Sequence, residues 1–347
     1  MPNDVLNHNP TGSRRFAPLG IIFGLLGLLL FAYFVSHAGV GEILSNIQRL
    51  GAGFVLILLV SSIRYVVRAL AWTRCVEPPH RLPFRDAFAA RLMGDALGNI
   101  IPFVSAAVSE PSKAVFVKDR VPLLVGLSAL AIENIFYSLS VALFIFSGTA
   151  TLLLMFTLPK GLRYASIAAL VTTLIVIPLA YLVIHRQAKF LSGALGFLLN
   201  RGVMPKLTGK LHPRAQAFED RVYGFYATSR RSFLSIFLLD MCFHVAGVVE
   251  VYITLLFISP VAPTLIQAFI LESVNRIINV AFKFIPLRAG VDEGGTGQVS
   301  KVLGFARNIG VTLAIIRKGR DIFWSAIGLL LIWKKGHGFT QVITDQK

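Results

Sequence analysis

The chain has 347 residues, of which 55% are hydrophobic and only 15% charged, with a formal net charge of +17 and a mean hydropathy of +0.71. A soluble domain carries roughly 25% charged residues, so this composition excludes a water-soluble globule. The basic excess falls between apolar blocks, the pattern of positive cytoplasmic connections and of attraction to anionic headgroups rather than of nucleic-acid binding.

The apolar blocks run over 16–36, 53–76, 86–108, 123–147, 162–184, 232–258, 262–285 and 310–333. Each approaches the about 20 residues that cross roughly 30 Å of hydrocarbon as a helix. Arg14-Arg15 and the Ser36-His37-Ala38 triplet around the first block imitate a secretory signal. The block exceeds the about 7–15 residues of a signal core, however, so a retained first helix is expected. The longest polar connection, 185–231, holds nine Lys/Arg against Glu219 and Asp220. It is expected on the cytoplasmic side, as are Arg14-Arg15 and the Lys334-Lys335 tail. Five blocks separate the first two of these basic regions, an odd number that would leave them on opposite faces. One block must therefore enter and return. The 86–108 block, with Arg91, Asp95 and Asn99 and a break at Pro102, is the best candidate. The same parity marks 262–285, which carries Glu272, Arg276 and Lys283 and ends at Pro286. Irregular backbone at such depth is tolerated where protein or an aqueous cavity shields it.

The two parts of the chain also resemble each other. Ile100-Ile101-Pro102, Glu110 and the run Glu133-Asn134-Ile135-Phe136-Tyr137-Ser138 recur as Phe284-Ile285-Pro286, Glu293 and Arg320-Asp321-Ile322-Phe323-Trp324-Ser325, at offsets of 184, 183 and 187. The expected fold is an all-α polytopic membrane protein of about six spans plus two re-entrant helical hairpins, arranged as inverted repeats. The expected domains are a cytoplasmic tail over 1–15, one transmembrane domain over 16–335 and a second cytoplasmic tail over 336–347. The halves of the transmembrane domain cover 53–184 and 232–335, joined by the basic cytoplasmic connection 185–231. The expected location is the cytoplasmic membrane.

Charged residues inside apolar blocks are the candidates for function, because each costs about 2.5–3.5 kcal/mol even on mild insertion scales. Glu272, Arg276, Asn279 and Lys283 share one helical face at spacings of four, three and four. Arg317-Lys318-Gly319-Arg320-Asp321 precedes twelve apolar residues, only about 18 Å of helix, so this cluster lies well below the surface. Glu133 and Asn134 occupy the matching depth in the first half. Asp240 and His244, one turn apart, are candidates for a proton relay or for an interhelical hydrogen bond. Glu250 falls on another face of the same block. Arg64 suits a phosphate, whereas Arg68 and Lys283 are expected to snorkel towards the surface. Cys75 and Cys242 form neither a disulfide framework nor a metal motif. No phosphate loop and no nucleophile–base constellation is present, so no catalytic residue, metal or cofactor is expected and the protein is not expected to be an enzyme.

Asn99-Ile100-Ile101-Pro102, Glu110-Pro111-Ser112-Lys113, Glu133-Asn134, Pro286-x-x-x-Gly290-x-x-Glu293 and Arg320, in this order, resemble the flippase-like transmembrane domain of lysylphosphatidylglycerol synthases. Stand-alone members include a hopanoid-associated group, and the resemblance spans about 16 to 335. The family's usual glycine between the first proline and glutamate is missing from Phe103–Ser109, and Lys113 stands where arginine is frequent. The soluble aminoacyl-transferase domain is absent, so lysyl transfer is not expected. The resemblance implies lipid translocation. Glu110, Lys113, Arg288 and Glu293 near the hairpin turns would admit a headgroup, and Glu133, Glu272, Arg276, Arg317 and Arg320, beside Asn134, Asn279 and Asp321, would replace its hydration. Basic side chains favour an anionic membrane lipid as substrate, and the 185–231 connection would meet anionic headgroups. A homo-oligomer is compatible with this reading. The alternative is a non-transporting membrane partner that organises an envelope-lipid or glycan enzyme, in which the same charges pair and seal.

Overall fold

A computed structural model describes residues 29, 32, 33, 35, 36, 39–100, 105–228, 230–283 and 285–344. Arg14, Arg15, most of the 16–36 block and the Pro102 break lie outside the described residues. Every regular element among the described residues is a helix: α1 (Val40–Leu50), α2 (Gly53–Cys75), α3 (Phe84–Ile100), α4 (Ser105–Phe116), α5 (Leu123–Met155), α6 (Lys160–His185), α7 (Phe190–Asn200), α8 (Pro205–Thr228), α9 (Arg230–Ile258), α10 (Leu265–Ala281), α11 (Val291–Val302) and α12 (Arg307–Thr344). A single 3₁₀ turn, Pro286–Arg288, lies between α10 and α11.

Among the described residues, four helices are long and apolar enough to cross a membrane: α2, α5, α6 and the Ser232–Ile258 part of α9. The 38 residues of α12 are longer still, but Arg317, Lys318, Arg320 and Asp321 interrupt the apolar run. The chain is thus a helical membrane protein. Two pairs of helices are shorter. α3 and α4 have 17 and 12 residues, and α10 and α11 repeat those lengths. At about 1.5 Å per residue, none of the four covers the roughly 30 Å of a hydrocarbon core.

Local chemistry sets several of these ends. Thr264 and Gln267 form a capping box at the start of α10, with the Thr264 amide donating to Gln267 Oε1 at 2.8 Å. α11 starts after Gly290, whose φ of 81° suits glycine, and the Gly290 amide donates to Glu293 Oε2 at 2.7 Å. Prolines 122 and 159 precede α5 and α6. α1 is amphipathic, turning Ile43, Asn46 and Leu50 inward onto α9 and α12.

α2 lies along α9, α3 packs on α4, and α11 packs on α12. Besides α2 against α9, the early and late parts of the chain meet where α3 packs on α12 and α10 on α5. The last two contacts each depend on a glycine. A Cβ at Gly148 of α5 would stand 2.3 Å from the Ser273 side chain of α10, and one at Gly328 of α12 would stand 2.3 Å from the Leu92 carbonyl oxygen of α3. Small residues that let backbones approach are how membrane helices gain packing contact.

Two large apolar cores result among the described residues, beside a small cluster of Ile43 and Val311. One gathers Ala69, Trp72, Ala90, Leu130, Phe136 and Ile236; the other gathers Ile57, Val251, Leu255, Leu271 and Leu313. Along α2 the order is Ile57, then Arg64 and Arg68, then Trp72, so a polar layer separates the cores. The connection over 185–231 is helical, built from the packed pair α7 and α8. Glu219 accepts the Leu191 amide at 2.7 Å at the start of α7. Phe225 and Tyr226 of α8 dock on Phe136 of α5, while Arg186, Lys189, Arg201, Lys206, Lys210, Arg214 and Arg221 stay exposed. An isolated polar stretch shows no such amphipathic docking in its charge count alone. α6 leans chiefly on α5 and buries almost nothing else.

Candidate functional site

Between the cores lies a cavity of about 850 Å³, walled by α2, α3, α4, α5, α6, α9, α10, the 3₁₀ turn and α12. Eight basic side chains line it, namely Arg64, Arg68, Arg91, Arg276, Lys283, Arg288, Arg317 and Arg320, against the carboxylates Asp95, Glu110 and Asp321. Tyr65, Tyr137, Asn99, Asn134, Asn275 and Asn279 add hydrogen-bonding groups, and Thr172 and Thr173 bring the edge of α6 to the rim.

The charges are organised in linked sets. Glu133, fully buried on α5, receives Arg68 as a fork, with Nε to Oε1 at 2.6 Å and Nη2 to Oε2 at 2.7 Å. Arg91 of α3 approaches the same carboxylate at 3.1 Å. The Arg68 guanidinium also donates to Asn134 Oδ1 at 2.9 Å and covers the Tyr137 ring at 3.6 Å. Lys113 ties α3 to α4, placing Nζ 2.7 Å from both Asp95 and Glu110, and Glu110 accepts from Asn134 Nδ2 at 2.8 Å.

In the later part of the chain, Glu250 of α9 bonds Arg320 of α12 and, at 3.3 Å, Arg64 of α2. Arg320 continues to Asp321 at 2.7 Å, and Asp321 to Arg288 at 3.2 Å. Leu287 and Arg288 hold φ of 48° and 52°, a left-handed turn that side chains disfavour, beside this pair. Glu272 serves two guanidinium groups at once, Arg276 one turn on and Arg317 of α12 at 3.5 Å. Arg317 also lies 3.9 Å from Asp292, and Lys318 closes the set on Asp292 and Glu293.

Following the ion pairs of the lining cations and carboxylates adds Lys113 and Lys318 on the basic side, and Glu133, Glu250, Glu272, Asp292 and Glu293 on the acidic side. Ten basic groups then stand near eight carboxylates; nine of the ten are ion-paired and Lys283 makes no ion pair among the described residues, so the linked sets carry one cation beyond their carboxylates. Several guanidinium N–H groups also lack a hydrogen-bond partner among the described residues: Nε of Arg91, Arg276 and Arg288, and both Nε and Nη1 of Arg317. Arg64 and Arg276 approach one aromatic ring, Phe243, at 4.5 and 4.8 Å from its centroid. Such an arrangement can replace the hydration of an anion, since guanidinium groups bind phosphate oxygens in pairs.

The residues singled out from the sequence divide by position. Glu110, Asn134, Arg276, Asn279, Arg288, Arg317, Arg320 and Asp321 line the cavity. Glu133 and Glu272 stand behind the wall and hold the lining arginines. Lys113 and Glu293 are buried, the first bridging Asp95 and Glu110, the second bonded to Lys318 and the Gly290 amide, so neither stands open to receive a headgroup. Asp240 and His244 do not bond each other. His244 Nε2 lies 3.0 Å from Ser140 Oγ and its ring stacks on Phe144, while both Asp240 oxygens lack a hydrogen-bond partner among the described residues. Arg68 turns inward to a buried fork with Glu133 instead of snorkelling. Lys283 is exposed at the cavity.

Sequence spacing missed Glu250 as an anchor, because its partners Arg64 and Arg320 come from helices distant in the chain. Thr172 and Thr173 carried no signal within an apolar block. A family model described as the lysylphosphatidylglycerol synthase TM region matches residues 18–328. No curated protein and no solved structure matches the chain. With nearly its whole length matched and its apolar helices packed around a charged cavity, this chain belongs to the lysylphosphatidylglycerol synthase transmembrane-region family and is a multi-pass membrane protein.

Proposed function

We propose that the protein moves a lipid with an anionic polar headgroup from one leaflet of the cytoplasmic membrane to the other, without chemical change to the lipid. The headgroup passes through the cavity while the tails remain in the bilayer beside α6. The single observation that carries this reading is a cavity of about 850 Å³ in a membrane protein, with more cations than carboxylates in the linked sets around it. Charge in apolar surroundings is costly, at about 2.5–3.5 kcal/mol per group on mild scales, so an unmatched positive excess favours an anionic occupant.

In this reading the 16–36 block, α2, α5, α6, α9 and α12 are six spans, and α3–α4 and α10–α11 are re-entrant hairpins of inverted repeats. The matched helix lengths support the pairing, as does the exchange of contacts between α3 and α12 and between α10 and α5. Both termini and the 185–231 region face the cytoplasm, where the exposed basic residues of α7 and α8 meet anionic headgroups.

The experiment is reconstitution of the full chain in liposomes with labelled lipids. The expected result is faster transbilayer movement than in protein-free vesicles, diminished by Glu272→Gln, which frees Arg276 and Arg317 from their shared carboxylate. Equal rates with and without protein would reject translocation. In the rival reading, a non-transporting partner of a biosynthetic enzyme, cysteines placed at 276 and 317 stay closed to water-soluble thiol reagents. Labelling of both is expected instead.

A further inference from the structure

α7 contains no charged residue, yet its Phe190, Leu191, Phe197 and Leu198 are exposed, and Met204 and Leu207 continue that surface into α8. Only the other side of α7 is covered. A Cβ at Gly209 of α8 would stand 3.7 Å from Leu199, and one at Gly196 would stand 3.2 Å from the His212 ring. The 11 residues of α7 make about 16 Å of helix, too short to cross roughly 30 Å of hydrocarbon. A contiguous apolar surface of this kind marks an interaction site. We infer that α7 and the start of α8 form an interfacial anchor: their apolar side chains enter the acyl boundary of the adjoining leaflet while their cations hold anionic headgroups. This rests on the headgroup contact proposed above for α7 and α8, and adds that the helix itself is seated in the leaflet.

Charge selects the occupant. Arg186, Lys189, Arg201, Lys206, Lys210 and Arg214 fall in a stretch, 186–214, that holds no carboxylate. The two acids that follow are already engaged. Glu219 is buried and accepts the Leu191 and Ser192 amides at the start of α7, and Asp220 pairs with Lys189 at 2.7 Å. The other five cations are exposed and make no ion pair among the described residues. Arg201 lies over the Phe197 ring at 4.3 Å from its centroid, so a cation and an apolar side chain stand side by side. At a membrane interface such a ring reaches acyl carbon while the guanidinium reaches a phosphate. A second copy of the chain suits the surface less well, because a two-fold contact through it would set these cations against their own equivalents, and opposed like charges repel. α8 docks on Phe136 of α5 through Phe225 and Tyr226, which ties the anchor to a helix that walls the cavity.

The test uses the full chain in phosphatidylcholine vesicles with phosphatidylglycerol as the minor lipid. A fluorophore is attached at Phe197→Cys in a chain carrying Cys242→Ala, since Cys75 is buried. Bromines near the glycerol end of the acyl chains are expected to quench it at least about threefold more than bromines at the chain ends or iodide in the water, the mark of insertion by about 5–10 Å. Should that variant fail to fold, Met204→Cys carries the same probe and the same expectation. Quenching by iodide and not by brominated lipid overturns the insertion. Protection from both quenchers overturns it as well, and cross-linking between copies through the new cysteine would then assign the face to a second copy. Spin-labelled phosphatidylglycerol is expected to be held at the protein surface about threefold more than spin-labelled phosphatidylcholine. Arg201→Gln, Lys206→Gln and Lys210→Gln together are expected to remove most of that preference, as is about 1 M salt. A preference unchanged by the triple variant overturns the choice of anionic lipid. Protein-dependent lipid movement in vesicles where the probe stays open to iodide would reject the anchor and leave translocation standing. An inserted probe without lipid movement would do the reverse.

Discussion

The early and late parts of the chain build the same brace with opposite polarity. In α2 and α5 the arginine, Arg68, sits on the first helix and the carboxylate, Glu133, on the second. In α9 and α12 the carboxylate, Glu250, sits on the first and the arginine, Arg320, on the second. Each carboxylate then receives another arginine from a further helix: Arg91 of α3 at Glu133, and Arg64 of α2 at Glu250. The second of these crosses between the two parts and the first does not. What is kept is a carboxylate shared by two guanidinium groups, not a residue type at a position. This arrangement holds helices together and still leaves donor groups for the cavity.

Breaking the braces separately should show how unequal they are. Glu133→Ala strands Arg68 and Arg91 in the interior and is expected to have the largest effect, about 3–5 kcal/mol, the usual cost of an uncompensated buried charge. Glu250→Ala should cost less, because Asp321 still holds Arg320 at 2.7 Å. Unfolding by denaturing detergent, followed by helical circular dichroism, measures both. A larger loss for Glu250→Ala would invert the ranking and make the crossing pair the main support. Removing both partners, with Arg68→Gln and Glu133→Gln together, should cost about 1–3 kcal/mol less than the two single changes added, since residues in one ion pair are not independent. Strict additivity would show that the fork contributes nothing to stability.

The contrast also marks what spacing could and could not convey. Glu272 and Arg276 were readable because a pair four residues apart meets on one helix surface whatever surrounds it. The fork between Arg68 and Glu133 was not, since it joins residues 65 apart in the chain through the packing of α2 on α5. Without that partner, a basic residue near the end of an apolar block reads as snorkelling. Lys113 and Glu293 were singled out by their place in the chain, but that place does not say which way a side chain faces, and both are buried in ion pairs. The short helices α3 and α10 fall in the two blocks whose charges and parity set them apart in the sequence. α7 and α8 were not, because their basic surface dominates the composition of that connection and hides the apolar edge that docks on α5.

The crossing contacts form a second comparison, with a smaller expected effect. Gly328→Ala pushes a methyl group towards the Leu92 carbonyl oxygen, a backbone atom that cannot rotate away, and is expected to cost about 1–3 kcal/mol through overpacking. Gly148→Ala meets the Ser273 side chain instead, so Ser273→Gly in the same chain should restore much of the loss. The same thermal or detergent unfolding measurement applies. Rescue at 148 together with none at 328 by Leu92→Ala would confirm that one approach is limited by a side chain and the other by backbone. Rescue at both sites would mean that the helices slide past each other instead of meeting at fixed points.

The smallest effect separates two aromatic residues that the matched sequence runs bring into register, Tyr137 and Trp324. Tyr137 lies under the Arg68 guanidinium at 3.6 Å, so its ring completes the early brace by attraction to a cation. Trp324 does not touch its own brace in this way. Its ring packs on Tyr65 with centroids 5.1 Å apart, and its Nε1 donates to Ser61 Oγ at 2.8 Å, both on α2. Trp324→Phe keeps an aromatic ring and loses that hydrogen bond, a change worth about 0.5–1.5 kcal/mol. Tyr137→Phe keeps the ring under Arg68 and should change stability by less. If the order reverses, the Tyr137 hydroxyl contributes more than its ring, and the early brace depends on a hydrogen bond in place of the cation's contact with the aromatic face.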